Sequence, residues 1–76
     1  MENKIYDILA ELHPEFDYKT SNDFISDGML DSFDVVNLVT ELEDAFSISI
    51  DGEDILPENF SSIDAIKILV ERSEKI

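Results

Sequence analysis

A serine placed directly after an aspartate, Asp31-Ser32, is the pair in this chain whose residue types and spacing could do chemistry. If a helix begins there, the Ser32 hydroxyl stands among the unpaired N–H groups at its amino end, where the helix dipole favours a negative group. That setting suits esterification of the hydroxyl by a phosphate. Asp and Ser are also favoured at helix starts whatever the function, so the pair alone marks a helix start before it marks a site. Other chemistry finds less support. The chain has no cysteine, which excludes a disulfide framework and a thiolate metal site. Its one histidine, His13, precedes Pro14 and reads as a solvated capping residue at a helix end. An EF-hand loop needs ligands at alternate positions, glycine at six and glutamate at twelve, and neither Asp23 to Asp34 nor the run from Asp51 satisfies it. Paired carboxylates could do acid–base work if one were buried with a raised pKa, yet the sequence singles out no such pair.

The elements that must position Ser32 follow from apolar spacing. Ile5, Ile8, Leu9 and Leu12 recur at i, i+3, i+4 and i+7 and define the buried face of a first helix, which Pro14 ends. A long connection follows from His13 to Asp31. It carries Phe16, Tyr18, Phe24, Ile25, Met29 and Leu30, so it is expected to pack against the helices. The second helix is expected from Ser32 to Phe46, with Asp31 as N-cap and Asp34 completing a capping box. At about 100° per residue, Val35, Leu38, Val39, Leu42, Ala45 and Phe46 share a core-facing side. Asp34, Asn37, Glu41 and Asp44 lie opposite, with Phe33 among them and Val36 at the margin. An exposed aromatic beside an apolar neighbour in an acidic field reads as a contact patch. Ser47-Ile48-Ser49-Ile50 alternates like a strand but is short enough to be an extended link. Asp51 to Leu56 is expected to form a brief helical turn ended by Pro57, and Ser61 with Asp64 to cap a last helix burying Ile63, Ile66, Leu69 and Val70.

With 76 residues the chain makes one domain, residues 1–76, and buries only about 60% of its unfolded surface, which leaves little room for an enclosed cleft. Nineteen acids against five bases give a formal net charge of −14, and the bases (Lys4, Lys19, Lys67, Arg72, Lys75) lie toward the two ends. From Thr20 to Ile66 there are twelve acids and no base. Such a field repels nucleic acid and anionic membrane and steers the chain toward partners with basic patches. No apolar stretch approaches the roughly 20 residues that cross a bilayer, and residues 1–20 lack the pattern of a secretory signal. A cytoplasmic monomer is expected.

The run Asp27-Gly28-Met29-Leu30-Asp31-Ser32-Phe33-Asp34-Val35-Val36-Asn37-Leu38-Val39-Thr40-Glu41-Leu42-Glu43-Asp44-Ala45-Phe46 resembles the phosphopantetheine-binding segment of acyl carrier proteins. The likeness extends along nearly the whole chain in the order of its elements. It implies an all-α fold, a small four-helix bundle of acyl-carrier type with a long first loop and a short third helix. It implies further that Ser32 is the attachment point for 4′-phosphopantetheine, transferred from coenzyme A by a separate phosphopantetheinyl transferase that recognises Asp31. Phe33, Asp34, Val36, Asn37 and Glu41 fall where family members meet partner enzymes, here acyl-loading ligases or synthases. On this reading the chain is not an enzyme; it carries acyl groups as thioesters, with the sulfur supplied by the prosthetic group. Fatty acid carriers read Gly-x-Asp-Ser, whereas Gly28 lies one residue further back, and Asn37 stands where they usually have Glu. The stretch from Ile50 to Phe60 is similar in spacing to D-alanyl carriers and other freestanding carriers loaded by adenylate-forming ligases. Fatty, polyketide, amino and aryl acid cargos all stay open.

A reading from another class is an acidic helical adaptor without a prosthetic group. It accounts equally for the charge, for Phe33 and for the small size, but not for a serine after an acid at a helix start within this frame.

Overall fold

The computed structural model describes residues 1–73. Three α-helices, α1 (Glu2–Leu12), α2 (Ser32–Phe46) and α3 (Ile63–Ser73), are joined by segments holding 3-10 turns at Tyr18–Thr20, Gly52–Asp54 and Pro57–Phe60. Among the described residues there is no strand, and no helix is long and apolar enough to cross a membrane.

Each helix is made by an apolar stripe and ended by an identifiable device. In α1 the stripe is Ile5, Ile8 and Leu9, all buried. The helix stops at His13, whose backbone (φ −142, ψ 87) has left helical space as a residue before proline tends to. In α2 the stripe is Val35, Leu38, Val39 and Leu42, with Ala45 and Phe46 partly buried. Ser47 ends it in the left-handed region (φ 53, ψ 48), and the Ser47 and Ile48 N–H groups both donate to the Glu43 carbonyl. In α3, Ile66, Leu69 and Val70 are buried and Ile63 partly so. Its cap is Ser62 rather than the expected Ser61: Ser62 Oγ accepts from the Ala65 N–H at 3.1 Å. Ser61 is committed elsewhere, its hydroxyl donating to the Glu58 carbonyl at 3.0 Å and its carbonyl accepting from Phe24 N–H at 2.6 Å.

That last bond explains how a long connection stays in place. Phe24 is fully buried, its N–H fastened to the segment before α3, and its carbonyl accepts from both Met29 and Leu30 N–H (2.9 and 3.2 Å). Tyr18 packs edge-on against the Phe24 ring at 5.3 Å, and Leu30 is buried beside them. Gly28 sits at φ +75 where the chain doubles back, a geometry open to glycine at no steric cost.

The link after α2 alternates as its sequence suggests, Ile48 and Ile50 inward and Ser47 and Ser49 outward, but among the described residues no strand lies beside it. A side chain takes the place of a ladder partner: Glu43 Oε2 accepts from Ile50 N–H at 2.9 Å. Where a short third helix was expected there are two 3-10 turns. Pro57 cannot donate to a continuing helix and holds Leu56 extended (φ −123, ψ 144), so the turn before it closes and a new one opens at the proline. Phe60, at the end of the second turn, is fully buried.

Three cations fasten the periphery. Lys4 Nζ donates to the Ala45 carbonyl at 3.0 Å and lies over the Phe46 ring, supplying positive charge at the carboxyl end of α2. Lys67 pairs with Glu2 and Arg72 with Asp54, each at 3.0 Å. Lys75, among the bases noted in the sequence, lies outside the described residues.

Because Phe24 ties the connection to the core, Phe24→Ala is expected to cost about 3–5 kcal/mol. Against a total of about 4–11 kcal/mol for a chain of this size, urea denaturation should show a collapse of the midpoint. A loss under about 1 kcal/mol would mean that the connection is not anchored as described.

Candidate functional site

The start of α2 is built by two aspartates that bond each other's backbone. Asp31, in an extended conformation (φ −115, ψ −177), accepts the Asp34 N–H on Oδ1 at 2.9 Å, and Asp34 Oδ2 accepts the Asp31 N–H at 3.2 Å. The capping box expected from the sequence is therefore present, and it fixes Ser32 as the first helical residue. Ser32 is exposed, and its hydroxyl makes no hydrogen bond among the described residues. The first backbone N–H groups of a helix lack intrahelical acceptors, and the two aspartates satisfy only those of Asp34 and Asp31. Those of Ser32 and Phe33 remain directed out of the helix end beside the hydroxyl.

Following Ser32, residues at positions 33, 36, 37, 40 and 41 share one outward face of α2. Phe33 is 76% exposed and Val36 57%. Asn37, Thr40 and Glu41 are exposed around them. The structure thus places Phe33, Val36, Asn37 and Glu41 together as an apolar spot with a polar rim, adjoining Ser32.

Asp34 stands apart from that face. Its side chain is only 16% exposed, and beyond the capping box its Oδ2 receives His13 Nε2 at 2.9 Å. Burial pushes the Asp34 carboxyl up, but the His13 and Asp31 hydrogen bonds outweigh it and hold the group below the usual carboxylate range. His13 in turn is raised above its ordinary value of 6.5, first by that hydrogen bond; burial opposes it, and the nearby charges of Asp34, Glu15 and Asp31 add to the rise. His13 is thus the C-cap of α1, as expected, but its side chain, rather than being solvated, bridges from the end of α1 to the start of α2. No spacing rule links residues 21 apart, and the only cue in the sequence was a histidine at one helix end and an extra acid at another.

A serine, a histidine and an aspartate in one neighbourhood raise the question of a hydrolytic triad. Both ring nitrogens of His13 face carboxylates, Nε2 on Asp34 and Nδ1 toward Glu15 Oε2 at 3.6 Å, so neither is directed at Ser32 as a base. Two surface clefts of about 310 and 240 Å³ lie elsewhere, one beside Ile25 and Pro57 and one beside Tyr6 and Phe16. The groups around Ser32 form an open surface, able to receive a group covalently and to be approached by another macromolecule. Among the described residues no group of three or more His, Asp or Glu side chains could hold a metal ion.

Compared with family models, curated proteins and solved structures, the chain finds no match.

If Asp31 is the cap and Ser32 a bystander to stability, the two should separate on substitution. Asp31→Ala is expected to cost about 1 kcal/mol, and Ser32→Ala, at an exposed helical position, to lie within about 0.5 kcal/mol of the parent, both by thermal or urea unfolding.

Proposed function

We propose that this chain is a carrier protein of acyl-carrier type, modified on Ser32 by 4′-phosphopantetheine and presenting acyl groups to partner enzymes. The reading rests on the resemblance of residues 27–46 to the modified segment of that family, and the observation that carries it is the free, exposed Ser32 hydroxyl at the mouth of a capped helix. A group attached there needs no pocket. The Ser32 and Phe33 N–H groups offer donors to a phosphate oxygen, and the hydroxyl can be reached without opening the core. Bound there, the prosthetic group supplies a terminal thiol that holds an acyl group as a thioester, chemistry a cysteine-free chain lacks.

This chain's own residues then have three tasks. Asp31 and Asp34 hold the hydroxyl at a fixed place on a rigid element, which makes it recognisable to a transferase. Phe33 and Val36 provide apolar contact, the kind of exposed spot that inserts into a partner's pocket. Glu41 and the acidic stretch from Thr20 to Ile66 steer the encounter toward basic surfaces. Once the carrier has docked, a tethered group is supplied at high effective concentration, which is the carrier's contribution to rate. The 3-10 turns at 52–60 stand where the family's short third helix is expected, so the four-helix form of the fold belongs to this proposal. The length of that region and the Asn at 37 favour loading by an adenylate-forming ligase over a fatty acyl cargo.

The adaptor reading draws on the same Phe33 and Val36 spot and needs no free hydroxyl. Intact mass measured after incubation with coenzyme A, magnesium and a broad-specificity phosphopantetheinyl transferase separates the two. One added phosphopantetheine, absent from Ser32→Ala, is expected for the carrier; an unchanged mass favours the adaptor. For docking, Glu41→Lys is expected to raise the transferase KM about threefold to fivefold at low salt, with the difference closing at high salt. A difference indifferent to salt would remove the electrostatic part of the proposal.

A further inference from the structure

His13 is used neither by the core nor by the outward face of α2, yet it touches one of the two side chains that hold the Ser32 turn in place. Asp34 Oδ2 is shared between the Asp31 N–H (3.2 Å) and His13 Nε2 (2.9 Å). An ionised carboxylate only accepts, so Nε2 is the donor. The charged and titratable groups facing the imidazole are Asp34 and Asp31 from the start of α2 and Glu15 from the connection. Tyr18, whose hydroxyl donates to the His13 carbonyl at 3.4 Å, is pushed up to about 12, chiefly by burial, and stays neutral. The other described cations are engaged away from this spot: Lys4 on Ala45 and Phe46, Lys19 over the Tyr6 ring, Lys67 on Glu2 and Arg72 on Asp54.

We propose that His13 is a positioning residue for Ser32: through Asp34 it clamps the first turn of α2 to the end of α1, and the clamp tightens when the imidazole carries its second proton. The inference deepens the carrier reading and rests on it for its link to modification of Ser32, whereas the clamp itself stands on the geometry alone. With the imidazole charged, Nε2–H donates a charge-assisted bond to Asp34 and Nδ1–H faces Glu15 as a second donor. On deprotonation the Nε2–H bond keeps an ionised acceptor but loses the attraction between two full charges, and Nδ1 turns into an acceptor opposite the Glu15 carboxylate. The same step removes a positive charge from beside Asp31 and Asp34, leaving the approach to Ser32 more negative for an anionic substrate such as coenzyme A.

The direction with pH follows from linkage. His13 is raised in the folded chain, so its contribution is fully present below about 6.5 and is lost as pH rises through the folded value. Asp34 is lowered, so its contribution is lost only in acid, as pH falls through its folded value. Between these limits the clamp is closed, and its upper edge lies above the ordinary histidine value of 6.5.

The test uses the unmodified full chain first, with no coenzyme or transferase. Nuclear magnetic resonance titration gives the His13 midpoint, and amide exchange of Asp34 and Val35, corrected for intrinsic rates, reports the first turn. In the parent the midpoint is expected above that of the urea-unfolded chain, and protection at both amides falls about fivefold as pH rises through it. His13→Gln keeps a donor without a charge and should show the lower protection at every pH. Glu15→Gln, at an exposed position, should move the parent's transition to lower pH. A midpoint at or below the unfolded value, or protection in His13→Gln that matches the parent across the range, overturns the clamp. Loading of Ser32 is then followed with one transferase on parent and His13→Gln. The ratio of their KM values should favour the parent below the midpoint and approach unity above it; a ratio that does not change with pH overturns the link to Ser32. If neither protein is loaded at all, the carrier reading fails and takes the link to modification with it, while the exchange data decide the clamp.

Discussion

Two hydrogen bonds between Asp31 and Asp34 decide where α2 begins, and most of what is specific to this molecule follows from that boundary. From that start the helical period carries Val35, Leu38, Val39 and Leu42 into the core and leaves Phe33, Val36, Asn37, Thr40 and Glu41 outside. The two bonds also make Ser32 the first helical residue, the position at which a hydroxyl is held by rigid backbone without being drawn into a helix's own bonding. A cap that slipped by one residue would lengthen or shorten the helix by that residue and move Ser32 off its first position. The reciprocal bond is thus a matter of position as much as of stability.

Around that fixed point the fold solves the problem of a small, self-repelling chain. The apolar residues form one cluster in which Phe24 and Phe60, neither of them on an α-helix, are fully buried alongside Leu38, Leu42 and Ile66. The connecting segments are therefore structural members. Two of the three 3-10 turns each bring one aromatic side chain inward, Tyr18 and Phe60. The scarce cations are used as fasteners between elements distant in sequence, Lys4 onto Ala45, Lys67 onto Glu2 and Arg72 onto Asp54. Among the described residues the outward face of α2 is left without a positive partner.

The parts of this arrangement that are local were legible in the sequence. The three apolar stripes, the stop at Pro14, the capping box and the alternation of Ile48 and Ile50 each depend on residues within a few positions of one another, where helical and extended periodicities apply directly. What could not be read depends on contacts across the chain. Ser62 rather than Ser61 caps α3 because Ser61 is bound to Glu58 and Phe24. Asp34 sits on the polar side of a helical wheel, yet the end of α1 passes close by and covers it. His13 looked solvated because nothing in its neighbours in sequence announces Asp34. The division between a short helix and two 3-10 turns at 52–60 turned on the geometry that Pro57 imposes on Leu56, a proline effect that the sequence reading used only as a stop.

The carboxylates that cap α2 carry a further consequence for anything joined to Ser32. The positive pole of the helix already has two anionic neighbours, Asp31 and Asp34, before any phosphate arrives. A third anion gains little from the dipole and meets no lysine or arginine among the contacts described for this end of the molecule. A tether anchored there would find donors in the Ser32 and Phe33 N–H groups and no cation among the contacts described, so its far end would swing through the solvent until taken up by a surface that offers the charge this one withholds.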